Sequence, residues 1–222
     1  MDYHKHFIPL ESDPLIFTQL AHKLGVRDGL EFIDILSLED TTTPNQGSIA
    51  ALILNLPPCS AYEREKGNEP LHTGHGNEEP IWVKQTIHNA CGLYALIHAV
   101  CNVPGAIQPG SFLNQLMQAH NRTEFLNTSV TLEELYREAA VNGSSEAPPA
   151  GVEVDHHYIC IIRQSGQLFI LDGEMSGPIL RDKPSVNTDT WPKQGLGVVR
   201  EYTESEKNGS FNLLALVNTQ DA

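Results

Sequence analysis

Four of the 222 residues are cysteines, Cys59, Cys91, Cys101 and Cys160. Their spacing lacks the density and regularity of a disulfide scaffold, so in a reducing compartment all four are expected as free thiols. A thiol becomes a nucleophile when its thiolate is stabilised, and the first turn of a helix does this through unpaired N–H groups and the helix dipole. Asn89 is a good N-cap, which puts Cys91 in such a first turn, and Gly92 beside it leaves room for another chain to come close. Cys101 falls at the far end of the same apolar run, where the dipole disfavours a thiolate. Cys160 lies in an apolar strand, and Cys59 follows Pro57 and Pro58 in a loop. Buried cysteine is often no more than a small core residue, so Cys91 carries meaning only with partners.

A thiol nucleophile needs a histidine to hold its proton, and that histidine needs a third group to orient it. His156 and His157 open a strand, Gln164-Ser165-Gly166-Gln167 turns the chain, and Asp172 closes the returning strand. If Ser165-Gly166 is a two-residue turn, Gln164 faces Gln167 and Ile159 stands opposite Asp172. Side chains two apart on a strand share a face, so His157 becomes a diagonal neighbour of Asp172 while His156 points to the other face. A three-residue turn would reverse that choice. Gln85, in the loop before Cys91, is a fourth candidate. Acyl transfer passes through an oxyanion, and a side-chain amide acting with the nucleophile's own N–H can hold it. Singly, an Asp-Gly pair is an ordinary turn and a loop glutamine an ordinary solvated side chain; their joint arrangement carries the argument.

The elements that must position these groups are legible in outline. Ser12-Asp13-Pro14 offers a cap and an N-terminal proline, and Ile16, Phe17, Leu20, Ala21 and Leu24 follow at helical spacing up to Gly25. Residues 31–38 and 48–56 read as strands, and Pro57 to Pro80 as a long polar surface connection. The run from Ala90 to Cys101 is apolar all round, the mark of a buried helix. Residues 111–119 and 132–140 read as further helices, and 142–154 as a loop long enough to suspect a function. Strands are expected over 158–162, 168–171 and 211–217. Without a repeat or a boundary between two cores, one α/β or α+β domain is the economical organisation.

Composition narrows the ligand. At 24.5 kDa and 40% apolar, the chain can bury a real core. Lys and Arg number 14 against 28 Asp and Glu, a net charge of −14. Such a surface repels phosphate backbones and anionic lipid and attracts a basic partner, which argues against nucleic acid. The longest apolar run, Ile49 to Leu56, falls far short of the roughly 18 residues of a membrane span. The opening Met1-Asp2-Tyr3-His4-Lys5-His6 lacks the order of a secretory signal. Neither nucleic acid nor membrane is expected as a partner.

At Gln85-Thr86-Ile87-His88-Asn89-Ala90-Cys91-Gly92-Leu93 the chain resembles the ubiquitin C-terminal hydrolases, papain-like cysteine peptidases that cleave short adducts from the C-terminus of ubiquitin. The likeness extends to Phe7–Pro14, Glu31–Asp34, Val154–Ile159, Leu168–Gly173 and Phe211–Leu216, nearly the whole chain. The resemblance implies an α+β fold in three α-β-α layers, a central antiparallel sheet between helices, a knotted backbone, and a single domain over residues 1–222. It also implies a loop crossing above the active site at about 142–155, short enough to favour small leaving groups. Carried over by position, Cys91 is the nucleophile, His157 the general base and acid, Asp172 the orienting residue and Gln85 the oxyanion donor. Ile8, Leu10, Glu11 and Asp34 become candidates to meet the basic tail of ubiquitin, with Gly92 near a narrow channel for its glycines. His88 stands beside the motif as a surface residue close enough to influence the pH profile.

The implied protein is a cytoplasmic monomer, with the nucleus open as a second compartment, that acts on ubiquitin and needs no cofactor or metal. Three alternatives stand beside this one. One is a ubiquitin-binding module with little turnover, and another a papain-like peptidase acting on a ubiquitin-like modifier. The third is a metal site through His72, His75 and a cysteine, which lacks a supporting Cys-x-x-Cys or carboxylate pair. The excess negative charge predicts a KM for ubiquitin substrates that rises with ionic strength, measured in a salt series. A flat response would leave the charge with solubility alone.

Overall fold

The computed structural model describes residues 3, 5–38, 49–67, 79–143, 151–152, 154–181 and 191–219. In chain order the elements are β1 (Lys5–His6), α1 (Pro14–Leu24), β2 (Leu30–Asp34), β3 (Ile49–Leu56), α2 (Ser60–Gly67), β4 (Ile87–His88) and α3 (Cys91–Cys101). They continue with α4 (Phe112–Gln118), α5 (Arg122–Thr128), α6 (Val130–Val141), β5 (His157–Gln164), β6 (Gln167–Leu171), β7 (Ile179–Leu180), α7 (Trp191–Ser205) and β8 (Asn212–Asn218).

Six strands form one sheet in the order β2-β8-β3-β5-β6-β7, every neighbouring pair antiparallel. Strand residues alternate between its two faces, as the pleat requires. Ala51, Ile53, Cys160, Ile162, Leu214 and Leu216 face a core shared with α1, α3 and α6. Leu52, Leu54, Ile159, Ile161, Leu213 and Ala215 face a second core shared with α2 and α7. Helices on both faces of an antiparallel sheet make the α-β-α, α+β architecture. The end of β2 at Asp34 pairs with Leu214, Asn55 and Leu56 of β3 pair with Asn212 and His157, and β6 closes beside the start of β5. Alternating strand direction therefore gathers the ends of β2, β3 and β6 and the starts of β5 and β8 at one sheet edge.

The helix α1 is built as its sequence suggests. Asp13 Oδ1 accepts from the N–H groups of Leu15 and Ile16 at 2.8 and 3.0 Å, and Pro14 takes the first helical position. Gly25 stops it at φ 105, while the Val26 N–H returns to the Ala21 carbonyl at 2.9 Å. The helix α3 is buried from Gly92 to Cys101 on every side.

Four expectations change. The strand expected over 31–38 stops at Asp34, because pairing with β8 ends there, and Leu36 is exposed. The 57–80 connection contains α2, whose polar sequence hides a short inner stripe of Ala61 and Tyr62; residues 68–78 lie outside the described residues. Asn89 does not cap α3: its φ is 57, its amide donates to the Val152 carbonyl at 2.9 Å, and Ala90 occupies the cap position without a side-chain bond. The helices α5 and α7 were not anticipated. In α7, Gly195 and Gly197 depress helix propensity, and burial of Trp191, Val198, Val199 and Tyr202 holds it on the sheet.

At Gly25 an added Cβ would require a left-handed alanine and would lie 2.0 Å from Ser111 Cβ. Gly25→Ala is therefore expected to lower stability by at least roughly 1–3 kcal/mol in denaturant unfolding; an unchanged midpoint would contradict the closing contact described for α1.

Candidate active site

Cys91 is the first residue of α3 and opens onto a cavity of about 390 Å³ at the gathered sheet edge, with Gln85, His157 and Tyr62 among its lining. The cysteines at the other three positions are buried and free. Burial pushes the Cys101 thiol up to about 12, and that of Cys160 higher still, which leaves both as core residues.

The β5–β6 hairpin places the histidine. Ser165 and Gly166 form a two-residue turn with φ 50 and 80, and Gln164 pairs with Gln167. His157 therefore meets Asp172, Nε2 to Oδ1 at 2.9 Å, while His156 reaches the Ser210 carbonyl at 3.3 Å. Cys91 and His157 both line the cavity, and the Cys91 thiol is among the groups that favour charge on the imidazole. Burial opposes charge on this ring, but the Asp172 carboxylate and the contact with Cys91 outweigh it and hold the imidazole pKa well above 6.5.

Asp172 is 1% exposed. Its Oδ1 also accepts from the Glu174 N–H at 2.8 Å, and its Oδ2 accepts from the Tyr62 hydroxyl at 2.8 Å. Burial would raise its pKa; His157 and these two donors reverse that and bring it below 3.8. Tyr62 also packs its ring against His157, 5.4 Å between centroids. Sequence reasoning missed Tyr62 because the helix carrying it was read as surface connection.

Gln85 sits on a segment fastened from both sides. On the α3 side, His98 Nε2 accepts from the Val83 N–H at 3.0 Å, and Asn102 bonds both the N–H and the carbonyl of Ile81. Burial pushes His98 down to about 4, so it serves as a neutral acceptor. On the β6 side, Trp82 Nε1 donates to the Asp172 carbonyl at 2.8 Å, and Lys84 Nζ donates to the carbonyls of Glu174 and Met175. The Gln85 N–H donates to the Gly173 carbonyl at 2.8 Å, and a Cβ at Gly173 would lie 2.7 Å from Gln85 Cβ, so glycine is what admits this approach. Gln85 is 3% exposed, and its Nε2 donates to the Ile87 carbonyl at 3.1 Å, leaving its second N–H for an acceptor in the cavity.

The other candidates fare differently. Leu10 is 4% exposed and packs in the core, so its side chain offers no surface for a partner. Gly92 is covered by Leu10, Phe17 and Tyr158, and its smallness serves packing of α3 rather than a substrate channel. Ile8 and Glu11 are half-buried along the segment before α1, and Asp34 is exposed at the end of β2. His88 is half-buried against Tyr3 and His6 and lines the cavity, so it is no bland surface residue. Of the crossing loop, residues 144–150 and 153 lie outside the described residues, as do His72 and His75. Among the described residues no group of three His, Cys, Asp or Glu is placed to hold a metal ion, and no helix is long and apolar enough to cross a membrane.

A thiol, an imidazole and a buried carboxylate in series, on a helix start beside a side-chain amide, are the equipment of a cysteine hydrolase. The family model for ubiquitin carboxyl-terminal hydrolase, family 1, matches residues 7–204, and the chain belongs to that family of cysteine-type deubiquitinases. Ubiquitin carboxyl-terminal hydrolase YUH1 of Saccharomyces cerevisiae is 31% identical over 93% of this chain and 92% of its own length. Ubiquitin carboxyl-terminal hydrolase isozyme L1 of Homo sapiens is 29% identical over 94% of this chain and 96% of its own. The crystal structure of the Trichinella spiralis UCH37 catalytic domain bound to ubiquitin vinyl methyl ester shares the fold. Its TM-score is 0.76 at 18% identity, over 98% of this chain and 96% of that one.

The balance at His157 predicts that Asp172→Asn lowers its titration midpoint, because the carboxylate no longer opposes burial. The imidazole resonances in an NMR titration report this. The sign carries into stability: the charged His157 stabilises fully below pH 6.5 and loses that contribution as pH rises through its raised midpoint, so the wild-type advantage narrows there.

Proposed function

We propose that this chain hydrolyses small adducts and peptides from the C-terminal glycine of ubiquitin, with Cys91 as nucleophile, His157 as base and acid, Asp172 as orienting residue and Gln85 as oxyanion donor. The observation that supports the assignment is one cavity lined by Cys91, Gln85 and a His157 that is bonded at 2.9 Å to the buried Asp172. His157 takes the Cys91 proton and the thiolate attacks the terminal carbonyl. Negative charge then develops on its oxygen, where the free Gln85 N–H and the Cys91 backbone N–H, at a helix start without intrahelical acceptors, can receive it. His157 returns the proton to the leaving amine, and water hydrolyses the thioester.

Glu11 and Asp34 are proposed to meet basic groups of the ubiquitin tail, with Ile8 as a partly covered apolar contact. A short crossing segment at about 142–155 limits the leaving group to small amines, thiols and peptides. On this reading the protein is one domain over 1–222 and works as a cofactor-free monomer in the cytoplasm, with the nucleus open as a second compartment.

Ubiquitin carrying a C-terminal electrophile should attach at Cys91, located by peptide mapping, and Cys91→Ala should abolish release of a fluorescent leaving group from ubiquitin. Gln85→Ala should lower kcat by roughly 10²–10³ with less effect on KM. Attachment at another cysteine overturns the nucleophile. Binding of ubiquitin without release leaves a ubiquitin-binding module in place of an enzyme.

A further inference from the structure

The second oxygen of Asp172 is the point on which the site's alignment turns. Oδ1 is shared between His157 Nε2 and the Glu174 N–H, at 2.9 and 2.8 Å. A carboxylate held at one oxygen can still swing about its Cβ–Cγ bond. Oδ2 is held by the Tyr62 hydroxyl at 2.8 Å, and with both oxygens fixed the carboxylate plane is fixed, so Oδ1 stays aimed at the imidazole. Asp172 is almost wholly buried, so solvent cannot take over if this donor is lost. The same side chain lays its ring against His157, 5.4 Å between centroids.

Tyr62 can impose this geometry because α2 is anchored away from the site. Glu65 pairs with Arg181 at 2.8 Å and accepts from the Tyr202 hydroxyl, and the Ala61 N–H donates to Ser205 Oγ at 3.4 Å. Those contacts tie α2 to α7 and to the chain after β7. Lys66 adds a bond to Glu174 at 3.3 Å, on the same turn whose N–H serves Asp172. Burial and the facing carboxylate hold the Tyr62 phenol far above its ordinary pKa, so it remains a donor at any working pH.

Resting on the assignment of Cys91, His157 and Asp172 above, we propose that Tyr62 is a positioning residue of the hydrolase reaction, acting through Oδ2 of Asp172 to keep His157 aligned on Cys91. It makes no bond to substrate in this role, so its loss falls on kcat and leaves KM near its wild-type value.

A double-mutant cycle tests this. Tyr62→Phe keeps every carbon of the ring and removes only the donor. It should lower kcat about tenfold, the scale of one hydrogen bond to a buried charge, and slow iodoacetamide alkylation of Cys91 in parallel. In an Asp172→Ala background the same substitution should cost nothing further, because the group it acts through is gone. Placing 4-aminophenylalanine at position 62 restores a para donor and should recover most of the loss, which separates the hydrogen bond from any general loosening. Wild-type kcat in Tyr62→Phe, or an equal loss with and without Asp172, overturns the proposal while leaving the site assignment intact. An Asp172→Ala variant with undiminished kcat instead overturns the assignment of Asp172, and the role of Tyr62 with it.

Discussion

A carboxylate removed from water is destabilising unless its charge and both its oxygens are answered, and Asp172 is removed from water almost completely. Its three donors come from three places: His157 at the start of β5, the Glu174 N–H in its own turn, and Tyr62 on α2. Each is held by a different part of the molecule, so the ionised state of one residue depends on the hairpin, the turn after β6 and the docking of a helix from the opposite face. The consequence reaches the imidazole. Burial alone would keep His157 neutral; because the paired carboxylate is itself ionised, the ring is held ready to carry the proton that a thiol gives up.

The same economy holds for Gln85. A loop amide is a poor oxyanion donor unless it is immobile, since the donor must already point at the charge before it forms. The segment from Ile81 to Gln85 is immobilised by being stretched between α3, through His98 and Asn102, and the turn after β6, through Trp82, Lys84 and the Gly173 carbonyl. Trp82 donates to the carbonyl of Asp172 itself. Movement of the Asp172 backbone and movement of the Gln85 amide are therefore coupled, and α3, which begins at Cys91, supplies the other abutment. His98, buried and neutral inside α3, is thereby explained as an anchor for a loop instead of an acid or base.

What could be read from the chain and what could not divides on physical lines. The pairing of His157 with Asp172 was legible because a two-residue turn, with Ser165 and Gly166 both at positive φ, fixes the register of every pair beyond it. A helix with Cys91 in its first turn was legible from the apolar run that follows. Asn89 was misassigned because asparagine suits both an N-cap and a left-handed residue, and only the neighbouring Val152 carbonyl decides between them. Tyr62 was invisible because α2 is polar on most of its surface and draws its order from partners such as Asp172, Tyr202 and Arg181, each more than a hundred residues away. Leu10 was misread for the converse reason: an apolar residue beside a candidate binding segment looks the same in sequence whether it faces a partner or the core.

The sheet's topology also bears on how a basic partner meets the site. Since every neighbouring pair of strands is antiparallel, the end that carries His157 and Asp172 is also the end where β2 leaves Asp34 exposed. Glu11 lies on the segment whose next residue, Ser12, bonds Asn212 at the start of β8 at 2.6 Å, which ties it to that edge as well. The cavity over Cys91 continues the same sign, with Glu63, Asp155 and Glu174 in its lining and neither lysine nor arginine. Carboxylates thus stand both at that edge and in the cavity lining of a chain whose net charge is −14. A surface of this net sign attracts a positively charged chain and repels an anionic polymer. Charge thus bears on which chains approach this edge, and the buried, donor-saturated Asp172 fixes the geometry of the imidazole that they would meet there.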